Sequence, residues 1–201
     1  MADRVASKVQ ELGYDEVVVD DWGNIVEKIQ GEIGESTECN LNIGQRGRAE
    51  IIIKTFGRSA HSSNPRSGIN AVYQMILVTE GIVNIKLPRD EFLGEAIIEL
   101  TDIISRPYPG ASMLPDLCMV TYDQRLLVGE SKEEILEAIK NAIAQTSKGA
   151  PQLNATVEYC HGRATCYTGA RISAEKYSPA WLTSGDSQLV KTALSALAGI
   201  G

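Results

Sequence analysis

AEIIIKTFGRSAHSSNPRSGINAVYQMILVTEGIVNIKL, residues 49–87, passes from a strand pattern to a helix pattern through one short polar loop. Residues 49–56 are rich in β-branched side chains, which suit the pleated surface of a sheet. From Ser67 to about Leu87 apolar residues recur at Ile69, Val72, Tyr73 and Ile76, the spacing of a helix with one buried face. Pro88 stops that helix. The intervening loop is dense in Ser, Asn, Pro and Gly, residues that specify backbone shape. It carries His61, one of only two histidines in the chain. Functional side chains concentrate in such loops on rigid scaffolds; the other reading of His61 is a solvated or helix-capping imidazole.

The pattern continues outward. Residues 97–105 (IIELTDIIS) and 117–127 (LCMVTYDQRLL) read as two further strands, separated by the breaker-rich Arg106-Pro107-Tyr108-Pro109-Gly110. Ser131 and Glu134 form a capping-box signature. The helix they open carries Ile135, Ala138, Ile139, Ala142 and Ile143 on one stripe, closed by Gly149 and Pro151. Residues 153–159 then alternate, with Leu153, Ala155, Val157 and Tyr159 facing inward. Strand, helix, strand, strand, helix, strand over residues 41–166 predicts an α+β, ferredoxin-like βαββαβ sandwich with helices on one sheet face and the other face open. A segment of this size can hold its own core.

The flanks differ. Residues 1–13 read as a helix with Val5, Val9 and Leu12 on one side, followed by strands at Val17-Val18-Val19 and at residues 25–29, joined through Trp22-Gly23-Asn24. Residues 167–201 hold the turn-rich Tyr177-Ser178-Pro179-Ala180-Trp181. A last helix over residues 186–198 follows, with Leu189, Ala193, Leu194 and Leu197 as its apolar side. The expected organisation is therefore residues 1–40, 41–166 and 167–201.

Composition excludes several classes. An apolar fraction of 43% and a charged fraction of 22% fit a soluble globular protein. A net charge of −7 and 5% aromatic residues argue against a nucleic-acid surface, which needs a basic field. The longest apolar stretch, residues 69–85, is broken by Gln74, Glu80 and Asn84, so no membrane span is expected. Met1-Ala2-Asp3-Arg4 lacks a secretory leader pattern, and a cytoplasmic location is the expectation. The four cysteines form no CxxC pair; Cys160-His161 and Cys166 lack the spacing of zinc sites, and reduced thiols are the better reading. No Gly-x-Ser-x-Gly elbow supports serine-hydrolase chemistry.

The motif Gly57-x-x-Ala60-His61-Ser62-Ser63-x-Pro65-x-x-Gly68-x-Asn70-Ala71, after Gly44-Gln45-Arg46-Gly47, resembles a known enzyme family. It is similar to the zinc-dependent aminoacylase, carboxypeptidase G and succinyl-diaminopimelate desuccinylase family of peptidases and deacylases. Within it, the chain looks most like uncharacterised hydrolases grouped with selenium metabolism. Pro115-Asp116, Tyr122-Asp123-Gln124-Arg125 and residues 177–181 continue the match in the family's order.

The resemblance implies a catalytic domain holding two zinc ions and an inserted lid that mediates homodimerisation. Residues 41–166 would be the lid, and residues 1–40 and 167–201 remnants of an α/β catalytic domain. It implies that His61 stabilises the oxyanion of the tetrahedral intermediate, often in the partner subunit's site. Such a donor is worth on the order of 3 kcal/mol. Arg125 would hold a substrate carboxylate, a bidentate task suited to guanidinium; the bland reading is a salt bridge between strand neighbours. Ser112 stands before Met113-Leu114-Pro115 where the family commonly has Asn, and is a candidate second contact. Glu35, in Ile33-Gly34-Glu35-Ser36-Thr37, matches a metal ligand.

The family's other zinc motifs, His-x-Asp, Asp-x-Lys-Gly, the Glu-Glu pair and a late histidine, have no match here. One carboxylate cannot hold catalytic zinc, which needs about three protein ligands. Two expectations follow: a metal-dependent amide hydrolase acting on N-acyl amino acids or small peptides, inactive as this chain alone; or a non-catalytic dimerisation module.

Overall fold

A computed structural model describes residues 16–19, 25–28, 41–165 and 169–198. The expected N-terminal helix, the Trp22-Gly23-Asn24 turn, Glu35, Cys39 and Cys166 lie outside the described residues. In chain order the strands are β1 (Glu16–Val19), β2 (Ile25–Lys28), β3 (Gly44–Gln45), β4 (Gly47–Phe56), β5 (Arg89–Asp90), β6 (Gly94–Glu95), β7 (Ile97–Arg106) and β8 (Leu117–Leu126). They continue as β9 (Ala155–Tyr159), β10 (His161–Thr165), β11 (Arg171–Glu175), β12 (Tyr177–Ser178) and β13 (Trp181–Leu182). The helices are α1 (Ala71–Val83), α2 (Lys132–Ser147) and α3 (Gln188–Ala198).

The chain divides into two compact units. The larger, Ile43–Cys160 with Lys176–Thr183, is an antiparallel sheet carrying two helices. Its order is β9, β4, β8, β7, so the four long strands run fourth, first, third, second in space. That order is the ferredoxin-like sandwich read from the sequence. β12 extends the sheet on the β9 side of β4, pairing Tyr177 with Ala49 and Ser178 with Arg48. β13 pairs with β3. In the other unit β1 pairs with β2 and β10 with β11, each antiparallel.

Strict alternation builds the core. Ala49, Ile51, Ile53 and Thr55 of β4 and Cys118, Val120, Tyr122, Gln124 and Leu126 of β8 all face the helices and are buried. Helix α2 adds Ile135, Ile139 and Ile143 to this core, as its stripe predicts, while Ala138 of that stripe is exposed; Ser131 and Glu134 close the capping box. Each fully buried aliphatic side chain contributes about 1.5–3 kcal/mol. Tyr159 and Val157 turn inward from β9 as the alternation predicts.

Helix α1 corrects one reading. Its buried residues are Ala71, Gln74, Met75, Val78 and Ile82, whereas Tyr73 is 69% and Ile76 46% exposed. The sequence AVYQMILVTEGIV is apolar almost all round. Spacing alone cannot say which side of such a helix is covered. The helix also starts later than expected, at Ala71, because Asn70 Oδ1 accepts from the amides of Val72 (2.9 Å) and Tyr73 (3.4 Å). In α3 the buried residue is Val190, and Leu189 and Leu194, expected on its apolar side, are exposed.

Candidate functional site

His61 stands at the end of the sheet where β4 runs out. Gly57 donates its amide to the Asp116 carbonyl (2.7 Å), and Arg58 and Ile69 exchange two 2.8 Å backbone bonds, closing the loop into a ring. A second strip of backbone zips it to residues 112–114. Ser62 N donates to Ser112 O (2.7 Å) and Leu114 N to Ala60 O (2.8 Å). These two bonds flank His61 and Met113, which form an isolated antiparallel bridge. In such a non-hydrogen-bonded pair the side chains stand side by side on one face.

Buried polar groups underpin the loop. Thr55 Oγ1 donates to the Ala71 carbonyl (2.8 Å), tying the last turn of β4 to the first turn of α1. Ala71 N donates to Pro115 O (2.9 Å) and Ser59 Oγ to Leu114 O (2.9 Å). The imidazole itself is exposed, and its Nδ1 meets Ser63 Oγ at 2.7 Å and Ser63 N at 3.2 Å. Asn64 N caps the turn by donating to His61 O (2.9 Å).

The structure thus brings His61 and the Ser112 segment together. Ser112 is exposed, and its φ of 67° lies in the left-handed region, which most non-glycine residues avoid. Its carbonyl, not its hydroxyl, makes the contact with the histidine loop.

Arg125 is elsewhere. It pairs in register with Arg48 at the start of β4, whereas Leu117 pairs with Phe56 beside the histidine loop. At about 3.3 Å per residue, those two ends lie about 26 Å apart. Arg125 Nη2 meets Asp123 Oδ2 at 3.1 Å, and Asp123 Oδ1 takes Arg48 Nε at 3.1 Å. Arg48 also reaches Glu50 (2.8 Å), which pairs with Lys176. The Asp123 hydrogen bond and charge raise the Arg48 guanidinium above its ordinary value. Arg125 therefore sits in an ion-pair ladder on the open sheet face.

A second surface lies on the β7 side. Helix α1 covers β4 and β8, while α2 lies over β9. The uncovered side of α1 exposes Tyr73, Ile76, Leu77 and Val83. β7 pairs only with β8 among the described residues, and its Ile97, Ile103 and Ile104 are exposed. By register Ile103 lies on the helix face of the sheet and Ile97 and Ile104 on the open face; exposed apolar side chains and an open strand edge are both typical of association surfaces.

The sequence profile of the peptidase dimerisation domain matches residues 43–151. The chain belongs to the M20 peptidase family. Its relative YgeY, an uncharacterized protein of Escherichia coli (strain K12), is 34% identical over 98% of this chain and 48% of its own length. The uncharacterized metallohydrolase MJ1497 of Methanocaldococcus jannaschii is 26% identical over 56% of this chain and 31% of its own. The chain thus spans about half the length of the first of these relatives, and less of the second. Among solved structures, aminopeptidase PepT from Bacillus cereus superposes with a TM-score of 0.56 at 18% identity, over 79% of this chain and 37% of that one. A hydantoinase/carbamoylase family amidase from Burkholderia ambifaria gives 0.54 at 14% identity, over 79% and 34%. At these identities the likeness is one of fold.

The described residues of this M20 chain do not fit a zinc centre. No group of three or more His, Cys, Asp or Glu converges among them. Around His61 the ring nitrogen meets a serine, not a second imidazole, thiolate or carboxylate. No described helix is long and apolar enough to cross a membrane. The residues that sequence reasoning missed are Ser63 and Met113. The two-residue offset of Ser63 from His61, the reach of a local side-chain turn, was the available signal for the first; Met113 is visible only through the pairing with Ala60 and Ser62.

Proposed function

We propose that the protein acts in metal-dependent hydrolysis of amide bonds in N-acyl amino acids or small peptides, with residues 41–166 as its lid. The observation that carries this is the rigid loop presenting an exposed His61 at the sheet's end, on the scaffold of a peptidase dimerisation domain. An N–H from His61 facing the developing oxyanion would contribute on the order of 3 kcal/mol. Arg125 would grip a substrate carboxylate with the part of its guanidinium that Asp123 leaves exposed. Ser112 would contribute its hydroxyl beside His61. Zinc would supply the activated water when bound, with Glu35 as one ligand and the others drawn from the parts of the relatives that this chain does not span. Residues 1–40 and 167–201 are read as pieces of that catalytic domain, and the location as cytoplasmic.

The distance along β4 shapes the proposal. His61 and Arg125 of one chain are too far apart to touch one small substrate together. In a dimer joined on the β7 side, Arg125 would serve its own subunit's site while His61 reaches its partner's.

A full-length protein assayed with zinc or cobalt against a panel of N-acyl amino acids tests this. Metal-dependent turnover that drops by about a hundredfold in His61→Ala supports it. No turnover with any metal, or turnover indifferent to His61, would count against it.

A second reading, a dimerisation module without catalysis of its own, is favoured by the apolar flank of α1 and the open edge of β7. For the 201-residue chain it predicts a homodimer and no stoichiometric zinc. Sedimentation and metal analysis of the purified chain decide it.

A further inference from the structure

We propose that Ser63 is a positioning residue that holds His61 in a single tautomer, with its proton on Nε2. Only the use of that proton against an oxyanion rests on the hydrolase reading above.

Donors and lone pairs decide the tautomer. A neutral imidazole has one N–H and one acceptor nitrogen. The backbone amide of Ser63 can only donate, and it points at Nδ1 from 3.2 Å. Nδ1 must then be the acceptor, since an Nδ1–H would face another N–H. With Nδ1 accepting, the Ser63 hydroxyl at 2.7 Å is the donor of the second bond. Both donors converge on the same nitrogen, which leaves the ring proton on Nε2, at the far side of the ring.

The backbone of this turn is itself held. Ser62 N is bonded to Ser112 O, and Asn64 N to His61 O, so the Ser63 amide cannot swing away without breaking neighbouring bonds. His61 is exposed, and Met113 stands beside it as its cross-strand neighbour. The loop therefore presents an aimed N–H donor before any ligand arrives. Preorganised donors of this kind need no reorientation when charge develops.

Long-range proton–nitrogen NMR of the 15N-labelled 201-residue chain reads the tautomer directly. The spectra are recorded at about pH 9. His61→Gln identifies which of the two imidazole patterns is His61 and which His161. The expected pattern has a protonated Nε2 and an acceptor-type Nδ1 in the parent chain. In Ser63→Ala, which keeps the backbone amide donor and loses the hydroxyl, the shifts move part of the way toward the tautomer mixture of free imidazole, and Ser63→Thr, which keeps a hydroxyl, restores the parent pattern. Amide spectra of β4 and α1 serve as the folding control. A dominant Nδ1–H in the parent chain, or a Ser63→Ala pattern identical to the parent's, would overturn the proposal. Turnover is not part of this measurement, so its outcome is separate from that of the hydrolase reading.

Discussion

Gly57 lies so close to Ile69 that a Cβ built on the glycine would stand 2.1 Å from the Ile69 carbonyl oxygen. That oxygen is not free to move, because it accepts the Arg58 amide at 2.8 Å. The ring closure beneath His61 thus requires a missing side chain. Gly57→Ala is expected to cost about 3 kcal/mol, at the upper end for overpacking against backbone. Urea unfolding measures it, and a loss below about 1 kcal/mol would show that the two strands of the loop do not approach as described.

Ser112 offers the opposite case, a side chain where the backbone disfavours one. Its φ of 67° suits Asn better than Ser and excludes β-branched residues. Ser112→Asn is expected to stabilise the chain by about 0.5 kcal/mol, and Ser112→Val to destabilise it by about 1–2 kcal/mol. Denaturant midpoints order the three proteins. Equal midpoints for Val and Ser would mean that Ser112 is not left-handed in solution.

The legible parts of this fold were those in which pattern and burial coincide. β4 and β8 alternate cleanly because one face meets helices and the other does not, and the α2 stripe stands out against charged residues on its far side. The α1 stripe was not legible, since a helix apolar all round has no contrast to read. The return of Tyr177-Ser178 to the edge of β4 was equally hidden, because two-residue pairings leave no periodicity. For the candidate site, the motif located His61 in the sequence. It did not show that Ser112 meets it while Arg125 stands at the far end of β8, opposite the start of β4, which only the antiparallel register of β4 and β8 reveals.

The apolar flank of α1 that misled the spacing argument yields the third prediction. If Tyr73, Ile76 and Val83 are covered by a second copy, charge placed there should split the dimer without unfolding the subunit. Ile76→Glu combined with Val83→Lys is expected to shift sedimentation at micromolar concentration from a two-chain to a one-chain mass. These side chains are 46% and 80% exposed in the single chain, so the subunit's own stability should change by no more than about 0.5 kcal/mol. A double variant that stays dimeric would move the interface elsewhere.

Tyr122 supplies a prediction in pH. The residue is 3% exposed, and among the described residues its hydroxyl has no hydrogen-bond partner. Burial, with a smaller contribution from the charge of Glu99, pushes the phenol up from 10 to about 12. The unfolded chain therefore loses this proton first. Below pH 10 both states hold it and the group is neutral to stability; between pH 10 and about 12 only the folded state holds it, and stability falls as pH rises. The loss approaches about 2.7 kcal/mol at the top of that window, at 1.36 kcal/mol for each unit. Cys118 and Cys160, whose thiols burial also raises, add a slope of the same sign, so the difference between parent and Tyr122→Phe isolates the tyrosine. Tyr122→Phe should be near neutral at pH 7, because removing an unpartnered hydroxyl leaves no orphan behind. Above pH 10 it should be progressively more stable than the parent chain. Parallel unfolding curves for the two proteins across pH 9–12 would show that the phenol is solvated after all.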